Sequence, residues 1–69
     1  MNFNIRNAVK SNLQNSSHEE IYQIIEDASN SDEENVLPGL GVILEVLWLS
    51  STNEEKKNIV QKVTNKLSS

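Results

Sequence analysis

Few residues in this chain combine the types and spacing that could do chemistry. His18 is the single histidine, and Glu19 and Glu20 follow it directly. A metal site needs several ligands converging on one point, and neighbours at i+1 and i+2 diverge around a helix. His18 is therefore expected to be a solvated first-turn residue. Glu45 stands alone in an apolar run, where desolvation could raise its pKa toward proton transfer. No nucleophile or second acid is placed near it by sequence, so it is expected to be a carboxylate at the rim of a core. The acidic run Ser31 to Glu34 lacks the alternating ligands and the glycine of a calcium loop. Gly39 and Gly41 form a G-x-G with neither a preceding strand nor a third glycine, so it is no dinucleotide fingerprint. These readings give no catalytic, metal or cofactor-binding residue, and the chain is expected not to be an enzyme and to act on no small-molecule substrate.

The elements around these residues are easier to read. The run Val36 to Leu49, VLPGLGVILEVLWL, is apolar apart from Pro38, the two glycines and Glu45. A helix apolar on nearly every side belongs in a core. The run is shorter than the roughly 18–20 apolar residues of a membrane span and carries a charge, so no membrane association is expected. Pro38 suits the first turn of a helix and disfavours helical geometry at Leu37. The central helix is thus expected from about Pro38 or Gly39 to Ser50, after an extended Leu37.

The flanking segments show helical periodicity. Ile5, Ala8, Val9 and Leu13 share one face of a helix from about Phe3 to Leu13, capped by Asn2 or Asn4, with Phe3 packed in its first turn. Ser17 and Glu20 form an S-x-x-E capping box ahead of Ile21, Ile24, Ile25 and Ala28. Ser31 and Glu34 repeat the pattern, suggesting a helical turn before Pro38. Thr52 and Glu55 repeat it again ahead of Ile59, Val60, Val63 and Leu67, in a helix from about Asn53 to Leu67. The expected fold is all-α, a compact bundle of about four helices covering a central hydrophobic one, in a single domain over residues 1–69.

On the central helix Glu45 shares a stripe with Gly41, Trp48 and Leu49, while Leu40, Ile43, Leu44 and Leu47 lie opposite and are expected to face inward. The preferred reading packs Trp48 and Leu49 against the terminal helices. The alternative leaves Gly41, Val42, Glu45, Trp48 and Leu49 as an exposed surface for another protein or a second copy of the chain.

Ten acidic against six basic side chains give a net charge of −4, which opposes nucleic-acid binding at long range. The lysines of the last helix fall on both flanks of its apolar face and form no single phosphate-tracking stripe. With no cysteine, neither a disulfide nor a thiolate metal site supplements the core. The N-terminal residues lack the apolar run of a signal peptide, and the chain is expected to be soluble and intracellular.

The run LPGLGVILEVLW, preceded by DEEN and by a first half of the form N-I-R-N-A-V…S-x-E-E…I-x-D-A, resembles the small acid-soluble spore protein I family of endospore-forming bacteria. The resemblance covers nearly the whole chain, and LPGLGV-x-x-E-V-x-W is its specific part. It implies a protein made in the forespore and kept in the spore core, and it supplies no catalytic residues or cofactor. Acid solubility has a physical counterpart, because at low pH the ten carboxylates are neutralised while Lys, Arg and His18 keep their charge.

Overall fold

The computed structural model describes residues 4–69, so the expected packing of Phe3 and capping by Asn2 lie outside the described residues. The described residues are all-α, with four helices in the order α1 (Ile5–Leu13), α2 (His18–Ser29), α3 (Leu37–Ser50) and α4 (Asn53–Ser68). A single 3₁₀ turn, Glu34–Val36, leads into α3.

Each helix start has a local cause. The Asn4 side chain accepts a hydrogen bond from the Asn7 amide at 3.0 Å and begins α1. At α2, Ser17 Oγ accepts from the Glu20 amide at 3.2 Å while Glu20 Oε1 accepts from the Ser17 amide at 2.9 Å. Thr52 and Glu55 make the same reciprocal pair at 3.1 and 2.8 Å, opening α4. Each pair satisfies two amides that a helix N-terminus leaves without intrahelical partners.

The third expected box does not form. Ser31 Oγ accepts from the Glu33 amide at 3.1 Å instead, and the 3₁₀ turn carries no side-chain cap. Leu37 also departs from expectation: it is right-handed helical, with φ −62° and ψ −40°, and α3 begins there rather than at Pro38. The restriction before proline is a preference rather than a prohibition. Here the 3₁₀ turn already delivers Leu37 in helical geometry, which lets Pro38 occupy the first turn where its missing N–H is not needed.

α3 is the centre of the bundle, with α1 and α2 packed on it and the 3₁₀ turn against its start. Val42, at 8% exposure, is the one buried hydrophobic side chain among the described residues. It faces a layer of half-buried side chains: Val9 and Leu13 from α1, Ile21, Ile25 and Ala28 from α2, and Ile43 beside it on α3. α4 does not cover the centre as expected. It touches the rest of the chain sparsely, and Val60, Val63 and Leu67 of its apolar face are exposed, Leu67 to 81%. A two-residue connection, Ser51–Thr52, joins α3 to α4, and Ser51 Oγ donates to the Leu47 carbonyl at 2.6 Å.

Candidate functional site

Four of the exposed apolar side chains of α3 fall on one face, while Val46 and Leu49 lie outside it. Leu37, Leu44, Leu47 and Trp48 are all substantially exposed, Leu44 to 53% and Trp48 to 36%, with Leu40 half-buried among them. Gly41 sits within this set, and a Cβ placed on it would meet nothing within 4 Å. Positions 37, 40, 41, 44, 47 and 48 follow i, i+3, i+4 spacing, so they form one stripe about 17 Å long. The stripe carries no charge along its length. It continues onto α4 through Trp48, whose ring lies 5.3 Å from the Lys56 ammonium in a cation–π arrangement. An exposed pair of this kind contributes on the order of 0.5–1 kcal/mol. Trp48 also shares a shallow depression with Lys56 and Val60, joining the α3 stripe to the exposed face of α4.

The five residues singled out from the sequence occupy four environments. Gly41 and Trp48 lie on this open face. Val42 points the other way and fastens α3 to α1 and α2. Glu45 is turned toward α1, where its Oε1 accepts from Arg6 Nε at 2.7 Å in a half-exposed ion pair. Leu49 is 73% exposed at the last turn. The preferred reading that Trp48 and Leu49 pack against the terminal helices is corrected for Leu49, which α4 leaves open; Trp48 keeps its contact with Lys56 and Val60 of α4.

Leu44 and Leu47 were expected inward and face outward. Glu45 sits at the rim of the α1 contact, held there by Arg6, so its position does not mark which side of α3 is open. Leu37, Leu40, Leu44 and Leu47 had a usable signal in their own spacing with Gly41 and Trp48, which traces a face free of polar groups.

A second concavity lies on the opposite side of α3, about 630 Å³ in volume and lined by Leu13, Ile21, Val42, Ile43 and Val46 with polar residues of α1. It is a gap in the packing of α1 and α2 on α3, open to solvent, and holds no convergent set of polar groups. His18 is exposed at the first position of α2. Among the described residues no group of three His, Cys, Asp or Glu side chains could hold a metal ion, and no helix is long and apolar enough to cross a membrane.

Glu20 is held below the ordinary carboxylate range, first by the hydrogen bond from the Ser17 amide and then by the Ser17 hydroxyl. This is the electrostatic side of its capping role, because both donors favour the ionised form.

The structure is that of a small all-α chain organised on one apolar helix, with an uncharged face left open. Comparison with known proteins gives that architecture a lineage. The family model for small, acid-soluble spore protein I matches residues 3–67, and the chain belongs to that family. It is 41% identical over 64 residues to a small, acid-soluble spore protein I of Halalkalibacterium halodurans, covering 93% of this chain and 94% of that one. Its identity to the Shouchella clausii protein of the same name is 42% over 64 residues, with 93% of each chain covered. With the Bacillus licheniformis protein it is 43% over 61 residues, covering 88% of this chain and 87% of the other. No solved structure matches the chain.

Proposed function

We propose that this protein is a non-enzymatic component of the dormant spore core, made in the forespore during sporulation, and that it acts through protein contact rather than bond-making chemistry. Membership of the spore protein family supports the setting. The observation that carries the mode of action is the uncharged apolar stripe on α3, since a chain this small gains little by leaving such a surface in water. Gly41, Trp48 and Leu49 supply the exposed part of the contact. Val42 holds α3 in place beneath it, and Glu45 with Arg6 borders it. A net charge of −4 disfavours nucleic acid as the partner.

Two experiments test this reading. Immunodetection through sporulation should find the protein confined to the forespore and spore, and equal abundance in vegetative cells would refute the setting. Photo-cross-linking from position 48 in intact spores should yield discrete protein adducts. Recovery of nucleic-acid adducts alone would refute the mode of action.

A further inference from the structure

The open stripe of α3 has features that select what can cover it. It is chemically uniform, being apolar from Leu37 to Trp48, with Gly41 near the middle, where a facing helix can approach closely. Its two ends are followed by unlike charge. Before α3 stands the run Asp32, Glu33, Glu34; after it comes α4, with four lysines against two glutamates. A parallel pair of α3 helices would set acidic run against acidic run and align the helix dipoles. An antiparallel pair brings each acidic run toward the other copy's α4 and opposes the dipoles.

The geometry points to a homodimer in which α3 packs antiparallel on α3 of a second copy about a twofold axis between Gly41 and Leu44. Leu37 then lies across from the second copy's Trp48, and Gly41 across from its Leu44. A stripe about 17 Å long falls short of the roughly 800 Å² per partner of a standard interface. The exposed Val60, Val63 and Leu67 of α4, continuous with α3 through Trp48 and Lys56, supply the remaining apolar surface. Pairing through α4 alone is disfavoured, because it would set four lysines against four. An open-ended array is also disfavoured, because a twofold contact closes on itself.

This proposal rests on the contact reading above and narrows it to a second copy of the chain. Sedimentation equilibrium of the full chain from low micromolar to near-millimolar concentration should show a reversible monomer–dimer equilibrium. Leu44→Asp should weaken it at least about 10-fold, by placing a carboxylate at the centre of the contact, with far-UV circular dichroism unchanged. The chain has no cysteine, so orientation can be read directly. Oxidising an equal mixture of Leu37→Cys and Trp48→Cys proteins should give mainly mixed disulfide dimers. Dominant self-linked species would overturn the antiparallel arrangement. Monomer throughout, oligomers beyond the dimer, association indifferent to Leu44→Asp, or a monomer that binds anionic vesicles through this face would each overturn the dimer. If the dimer fails while position 48 still captures a discrete protein in spores, the contact reading stands and the second copy alone is excluded.

Discussion

Val42→Ala probes the core most directly, because Val42 is the single buried hydrophobic side chain among the described residues. Removing two buried carbon groups forfeits about 0.8 kcal/mol each, or about 1.6 kcal/mol. A cavity penalty would normally add to this, but Val42 already borders the open concavity between α1, α2 and α3, so little new void is created. Alanine is the better helix former by roughly half a kcal/mol, which acts in the opposite direction. The net expectation is a loss of about 1 kcal/mol, or roughly 4–8 °C in Tm for a domain of this size. Val60→Ala, at an exposed position of α4, isolates the helix-propensity part and should be neutral or slightly stabilising. Urea unfolding followed by circular dichroism, at concentrations where the chain is monomeric, reads both. Val42→Ala costing no more than Val60→Ala would refute the assignment of Val42 as the anchor of the fold. A loss above about 3 kcal/mol would refute the argument that the adjacent concavity relieves the cavity penalty.

Four further expectations follow from the caps, the ion pair and the indole. Thr52→Ala should cost about 1 kcal/mol of α4 helix stability. Since α4 docks sparsely, the effect should appear as faster amide exchange confined to residues 53–68, and equal loss of protection in α1 would contradict the docking. The Arg6–Glu45 pair is half-exposed, so a double-mutant cycle should return a coupling of no more than about 1 kcal/mol that shrinks with salt. Glu20 has a lowered folded-state pKa, so its contribution is complete above the ordinary carboxylate range and is lost as pH falls through the lowered value. A Glu20 carboxyl titration midpoint at or above that of an unfolded peptide would contradict the capping geometry. Trp48 fluorescence should be red-shifted and open to acrylamide quenching in dilute protein, and should shift blue as concentration rises.

How far the sequence sufficed differs between the helix starts and the faces. Ser17 with Glu20 and Thr52 with Glu55 act within one turn of chain, so their geometry follows from local spacing and both boxes form where the pattern places them. Ser31 with Glu34 has the same pattern and fails: Ser31 Oγ accepts from the Glu33 amide instead, and a 3₁₀ turn starts at Glu34 itself. The pattern is necessary for the box but not sufficient. The face of α3 depended on information no window of sequence contains. Glu45 turns toward α1 because Arg6, 39 residues earlier, is placed to receive it.

The exposed face of α3 was hard to assign for a related reason. With apolar residues on almost every side, α3 has little amphipathic signal of its own, and which side is buried is set by the helices that arrive. α1 and α2 are short and together cover one side. α4 is the longest of the described helices, yet it touches α3 only sparsely, around Trp48. Val60, Val63 and Leu67 therefore remain in helical register beside an uncovered stripe instead of closing over it. The same apolar surplus that marks α3 as a core helix makes it more than this one chain covers. Burying the remainder against an equal surface satisfies both copies with the same residues, which is the physical case for pairing over any fold-back of a single chain.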